Sequence, residues 1–446
     1  MYKRIVWITV LLIIMASVVG CDGDFAVIRD NLPFSNIPST DMTETPVIDP
    51  MITEPTIEEG LVTVTPTYSG PQDLVIWVPP QFDPDGDTQA GRLFQQRLRL
   101  FSVEYPGVSV TTRVKAASGS NGLLESLLIT SQAASGAMPS LIALPRKDME
   151  TAALQGLAVS LDEYSNLIDD PDWYSYAREL AIIDGVTYGL PFAGDALIMV
   201  YRPSKTGIIT SSWEQVFSKG QSIIFPAADP QAFLGLTLYL SNGGNVIDTQ
   251  KSAIIDEELM LSVLNFFDDG SQNGIFPVWL TEYTSMPEAW QAYQDRSSAG
   301  VISWSSVYFS ELPTDSMAMM LPSMTDEPYT LTDGWVWVVT EPQPELVENS
   351  MNLAEYLVES SYLTEWLPKT EYLPTRPTVL NGWSNQSTRS LISQIVVSAH
   401  IKPANSTVAS LGPLFSDAIE SILKREKTPE QAVLDAIELL ESPVTQ

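Results

Sequence analysis

"DLVIWVPPQFDPDGDTQAGRLFQQRLRLFSVEYPGVSVTTRV", residues 73–114, passes through three hydrophobic patterns in turn. It opens on "DLVIWV", a short β-branched apolar run of the kind that forms a buried strand. Phe94, Leu98, Phe101 and Tyr105 then recur at helical spacing, and Pro106-Gly107 stops the helix. "VSVTTRV" alternates at the period of a strand. Downstream the cycle repeats, with "GLLESLLITSQAASG" (122–136) as helix, "PSLIAL" (139–144) as strand and "DMETAALQG" (148–156) as a helix ending at glycine. Strand and helix alternating at such short intervals predict a parallel α/β sheet with helices on both faces. In sheets of that kind ligands bind beyond the carboxyl ends of the strands.

Upstream of Asp73 the character is different. Prolines recur at 33, 38, 46, 50, 55, 66 and 71 among threonine and acid, and no Lys or Arg stands between Arg29 and Arg92. Such a stretch cannot bury enough surface to offset its chain entropy, and proline with like charge keeps it extended. Before it, Lys3 and Arg4 precede the apolar run "IVWITVLLIIMASVV", then Gly20 and Cys21, the single cysteine of the chain. A basic start, a short apolar run and a small residue describe a secretion signal. The run is shorter than the ~20 residues that span a bilayer comfortably. "VVGC" resembles the lipobox of bacterial lipoprotein signals, which implies cleavage before Cys21 and a lipid on its thiol. The plainer alternative is an uncleaved membrane anchor beside a chance cysteine. Either way the remainder lies outside the cytoplasm. Residues 1–20 are thus expected to be a signal peptide and 21–72 a disordered tether.

With 55 acidic against 23 basic residues, net −32, the surface repels phosphate backbones and anionic headgroups, which argues against nucleic-acid binding. At 44% apolar and 9% aromatic, the chain can bury a large core without disulfides. One histidine, His400, read on a helix, and one cysteine cannot build a common zinc site. Asp83, Asp85 and Asp87 have the spacing of a calcium loop, but Thr88 and Phe94 stand where that loop needs Gly and Glu. They read as an exposed acidic turn, and "GSNG" (119–122) as a helix start. No metal and no cofactor are expected.

"DGVTYGLPFAGDALIMVYRPS", residues 184–204, resembles the segment of extracellular solute-binding proteins of carbohydrate type where the chain first crosses between lobes. "WEQVFSKGQSIIFP", "LYLSNGGNVID", "AWQAYQDRSSAGVISWSS", "DGWVWVVT" and "NLAEYLVESSYLTEWLPKTEYLPTRPTV" resemble later segments in the same order, so the likeness covers roughly residues 73–430. One departure is "ISWSS" near Trp304, where the family often has a glycine followed by tryptophan. The resemblance implies an α/β, two-lobed, periplasmic-binding-protein-like (type II) fold with a ligand cleft between lobes. Lobe 1 would comprise 73–194 with about 329–373, and lobe 2 would comprise 195–328 with about 374–446. It also implies a lipid-anchored, monomeric binding protein, not an enzyme, that delivers a sugar or polyol to the permease of an ATP-driven (ABC) importer. The competing reading is a secreted, lipid-anchored glycosidase or polysaccharide lyase, which would need two carboxylates facing one scissile bond.

A sugar site needs flat aromatic faces for C–H-rich rings and polar groups for buried hydroxyls. Asp195, after "PFAG" on the crossing strand, is a candidate hydroxyl acceptor. Trp335 and Trp337 sit two apart on one strand face, which could line the cleft or lie in the core. Trp304 ends a strand, and Trp77 closes the first strand, facing cleft or core. Asp333, Asn242 and Asn245 are polar candidates. Arg376 and Trp383 flank the last loop, where the resemblance allows a contact. Trp290, on a helix, is expected in the core.

Overall fold

Leu74, Ile76, Trp77 and Val78 are all buried, so the first strand is covered on both faces, as its unbroken apolar run requires. The structure is a computed structural model and describes residues 72–296, 298–341 and 343–442. The expected signal peptide, Cys21 and nearly all of the tether lie outside these residues. Strand β1 (Gln72–Val78) runs into helix α1 (Gln89–Glu104), which turns Ala90, Phe94, Leu98 and Phe101 inward. Thr88 caps α1 by accepting from the Gly91 amide at 2.9 Å. The chain returns as β2 (Val108–Val114), parallel to β1 and in register from Gln72↔Val108 to Val78↔Val114. Helix α2 (Leu123–Ala133) leads to β3 (Leu141–Pro145), parallel to β1 on its other edge. Helices α3 (Arg146–Leu154) and α4 (Ser175–Ala181) and a small hairpin, β4 (Ile182–Ile183) with β5 (Val186–Thr187), come next.

The long strand β6 (Leu190–Tyr201) carries the architecture. Its first part pairs antiparallel with β10 (Thr330–Val339), through Ala196↔Thr332. From Leu197 it pairs with β8 (Gly300–Trp304) and, from Ile198, with β9 (Met317–Met320). A short β7 (Ile223–Ile224) lies parallel to β8. β10 changes neighbours in the same way. Trp335–Val339 pair with β3, while Thr330–Thr332 pair with β11 (Ala399–Ile401). The resulting order, β2-β1-β3-β10-β6-β8-β7, is two half-sheets sharing two strands, which is a two-lobed α/β fold. A third crossing segment lies beside them, where Gly194 and Leu373 exchange backbone hydrogen bonds of 2.9 and 2.8 Å.

Two glycines make the crossing possible. Gly194 and Gly334 are direct partners across β6 and β10. A Cβ on Gly194 would overlap the Tyr176 hydroxyl of α4, and one on Gly334 would lie 2.5 Å from the Ala193 carbonyl. Helix α4 therefore packs directly onto the crossing strands, and Tyr176 donates to the Pro374 carbonyl of the third segment at 2.7 Å.

The second half-sheet is flanked by α5 (Phe233–Ser241), α6 (Ser305–Glu311), α8 (Gln386–Val397) and α9 (Asn405–Leu423), while α7 (Ser360–Trp366) packs against α1. His400 departs from its expected helix. α8 ends at Val397, and His400 sits exposed on β11, stacked on Tyr329 at 4.2 Å, because the edge of β10 offers unpaired backbone there.

Candidate functional site

One residue beyond the glycine pair, Asp195 and Asp333 face each other across β6 and β10. Asp195 accepts from Ser305 Oγ at 2.8 Å, from the Ser306 amide at 2.9 Å and from Ser306 Oγ at 2.5 Å. These donors open α6, whose preceding residue, Trp304, offers no side-chain cap. Asp195 thus caps that helix from a neighbouring strand. The two serines that follow Trp304 in "ISWSS" fix the acid. Burial pushes the Asp195 carboxyl up to about 6. The Ser306 and Ser305 donors pull against that rise, and Asp333 adds to it.

Asp333 accepts from Lys402 Nζ and from the Gly334 amide, the latter at 2.9 Å. Lys402 is held in turn by its own amide, which donates to Thr332 O at 3.1 Å, and its Nζ lies 5.9 Å from the Phe233 ring centre. Phe233 begins α5 and meets Trp304 edge-on, with ring centroids 5.7 Å apart at 77°. Trp304 is partly exposed, and it directly precedes Ser305, which donates to Asp195.

Arg146 opens α3 at the carboxyl end of β3. Its Nη1 has no partner among the described residues. Burial lowers its pKa against the opposing pull of Glu150 and Asp333, which places it in the same electrostatic neighbourhood. Glu150 accepts from the Asn405 amide at 3.1 Å, and Asn405 Nδ2 donates to Lys147 O at 2.7 Å. The first turns of α3 and α9 are therefore tied directly together. On the other flank of Asp195, the half-buried Tyr372 lies 5.6 Å from Phe82. Burial raises the Tyr372 pKa first, and the Asp195 charge raises it further. Tyr372 also lines a cavity of about 870 Å³ bounded by α1, α6, α7, α8 and β9.

Of the residues singled out in the sequence, the structure brings Asp195, Asp333 and Trp304 together. Trp335 adjoins them but is 9% exposed, packed edge-on against Phe82 at 5.4 Å. Trp337 is fully in the core, stacked on Phe192 at 4.6 Å. Trp77 is buried, with Lys115 Nζ 4.6 Å over its ring. Arg376 is buried on Trp173 at 3.7 Å and faces Asp170 at 3.4 Å and Asp172 at 3.8 Å. Asn242 ends α5, roughly 13 Å along the helix from Phe233. Asn245 follows in the same exposed turn. Trp290 is in the core as expected, and Trp383 lines the 870 Å³ cavity.

Sequence reading missed Lys402, Arg146, Phe233 and Tyr372. Only the paired serines after Trp304 carried a local signal, that of a helix start. Among the described residues no group of acids, His or Cys could hold a metal, and no helix is long and apolar enough to cross a membrane. The Asp83–Asp87 turn is used locally, with Asp83 accepting from the Asp85 amide at 2.9 Å and Asp87 pairing with Arg92 at 2.8 Å.

Two half-sheets joined by shared strands, with polar and aromatic side chains gathered at the crossing, make up a two-lobed α/β fold. The sequence matches the family of bacterial extracellular solute-binding proteins over residues 107–390, and the chain belongs to that family. Solved structures share the fold at low identity. Maltose-bound MalE3 of T. maritima is 16% identical over 83% of this chain and 99% of its own, with a TM-score of 0.62. MalE of Listeria monocytogenes in complex with maltose is 14% identical over 84% and 98%, with a TM-score of 0.69. A solute-binding protein of Thermotoga lettingae bound with α-D-tagatose is 16% identical over 83% and 98%, with a TM-score of 0.60. No curated protein matches the sequence.

Proposed function

We propose that this protein captures a neutral sugar or polyol at the crossing of its two lobes and delivers it to the permease of an ATP-driven importer. The observation that carries this reading is the partly open Trp304 indole beside Asp195, Asp333 and Lys402. An apolar ring face next to carboxylate acceptors and an ammonium donor suits a ligand with C–H-rich faces and hydroxyl edges. Acceptors and donors nearly balance in charge, so nothing there calls for an anionic or strongly cationic cargo. The sugars bound by the structural neighbours point the same way. The lobes divide as 73–194 with about 329–373, and 195–328 with about 374–446. The change of partners along β6 between Ala196 and Leu197 supports that division. β6, β10 and the 372–375 segment form the hinge about which the lobes close.

The test is thermal unfolding of residues 73–446 against mono-, di- and oligosaccharides, polyols, amino acids and polyamines. A sugar at ~100 times its dissociation constant stabilises the fold by about 2.7 kcal/mol. A sugar that shifts the melt and is recovered uncleaved fits the proposal. A shift with amino acids or polyamines alone contradicts it, and a cleaved sugar points to hydrolysis.

We also propose that the protein is tethered through a lipid on Cys21, with residues 22–72 as spacer. The position of the single cysteine directly after the apolar run supports this. Mass spectrometry of the mature N-terminus should find Cys21 as the first residue with a lipid on its sulfur. An intact residue 1–20 segment with a free Cys21 thiol would identify the apolar segment itself as the anchor.

A further inference from the structure

We infer that Asp184 and Lys251 form a salt-sensitive latch that holds the two lobes apart, and so sets how tightly a solute binds without touching it. This rests on the division into lobes and the binding role proposed above, which put Asp184 in lobe 1 and Lys251 in lobe 2. Lys251 Nζ donates to Asp184 Oδ1 although the two lie 67 residues apart in the chain. Both partners stand on tight turns. Asp184 and Gly185 are the two central residues of the β4–β5 hairpin, with φ of 51° and 85°, a conformation that an Asp-Gly pair favours. Lys251 has φ of 63° in a turn closed by Asp248, whose Oδ1 accepts from the Gln250 and Ser252 amides at 2.8 Å each. A lysine keeps a left-handed backbone only where its surroundings impose it. The two charges are therefore presented to each other by fixed turns.

The faces of the crossing strands set the direction of the effect. A Cβ on Gly194 would run into Tyr176, and one on Gly334 would lie 2.6 Å from Leu180, so α4 covers one face of β6 and β10. Asp195 and Asp333 come next along those strands and project from the opposite face. The β4–β5 hairpin follows α4 without a break, and the Tyr188 amide donates to Ala181 O at 2.9 Å, which keeps the hairpin on the α4 side. Asp184 and Lys251 thus meet behind the crossing strands as seen from Asp195. A rotation about those strands that closes the lobes over a solute at Asp195 draws the two turns apart and breaks the pair. With side chains 67% and 69% exposed, the pair is weak and open to screening by salt. It shifts the populations of open and closed forms, so it scales the affinity for every solute by the same factor.

The test is calorimetric titration of the full chain with maltose and with D-tagatose. It is repeated on Asp184→Asn, on Lys251→Gln, and on the reversed pair that combines Asp184→Lys with Lys251→Asp. Asp184→Asn keeps a residue suited to the turn. At low salt each single variant should bind every sugar the parent binds about two- to fivefold more tightly. The reversed pair should return to the parent affinity, and the gap between parent and single variants should close as salt rises to about 1 M. Unchanged affinity, weaker binding, or factors that differ between the sugars would overturn the latch. A second measurement needs no solute. The chain carrying both Asp184→Cys and Lys251→Cys is treated with a short bismaleimide, and mass spectrometry reads whether the peptides around 184 and 251 are joined. Joined peptides are expected in the unliganded chain, and separate ones would overturn the latch. If the parent binds neither sugar, the carbohydrate reading fails by itself, and the bridging result still decides for or against the latch.

Discussion

Asp195 performs two tasks at once. It caps α6 through Ser305 and Ser306, and under the proposed function it also accepts ligand hydroxyls. Asp195→Ala leaves the Ser306 amide and two hydroxyls without their acceptor and should cost about 1–3 kcal/mol in urea unfolding. No loss would contradict the capping role. Its pH dependence has a definite sign. The folded carboxyl titrates at about 6 against 3.8 for the ordinary group, so the folded state holds the proton more tightly. Its stabilising contribution is full below about pH 4 and is lost as pH rises through about 6. The melting temperature of the unmodified chain should therefore fall across that window relative to Asp195→Asn, and parallel profiles would contradict the raised pKa. Asp195 was legible in the sequence as a polar residue on a crossing strand, but its serine partners lie 110 residues away or more. The tryptophans show the other limit. Strand period places Trp335 and Trp337 on one face, but it cannot say that α1 and Phe192 cover Trp337.

At the scale of elements, the crossing strands depend on the absence of side chains at Gly194 and Gly334. Gly194→Ala forces a methyl into the Tyr176 hydroxyl and should destabilise by about 1–3 kcal/mol or more. Tyr176→Phe should relieve part of that cost, because the closest clash is with the hydroxyl. Additive effects in the double variant would show that the two residues do not meet. Alternating strands and helices were readable because each buries its own periodic face, as Phe94, Leu98 and Phe101 of α1 illustrate. β11 was not readable. Three residues carry too little pattern, and Ala399–Ile401 is a strand only because β10 offers a free edge. Asn242 lies apart from Trp304 and Lys402 for a geometric reason. The end of α5 that meets Trp304 and Lys402 is its first turn, and the glycine turn closes the opposite end.

Across the whole molecule, the surface charge and the shared strands act together. A net charge of −32 is self-repulsive, so raising ionic strength should raise the melting temperature. A fall with added salt would mean that attractive pairs such as Lys402 with Asp333 dominate instead. Among the described residues the half-sheets meet through segments near residues 194–197, 330–335 and 372–375 and through direct ties such as Asn405 with Glu150 and Lys147. A ligand held at Trp304, Asp195 and Asp333 bears on all of these. The most direct test is therefore to titrate the sugar that shifts the melt most against the unmodified protein and against Trp304→Ala. The account predicts about a tenfold or larger loss of affinity with an unliganded melting temperature close to that of the parent. Equal affinity in the two proteins would contradict it and place the ligand elsewhere in the fold.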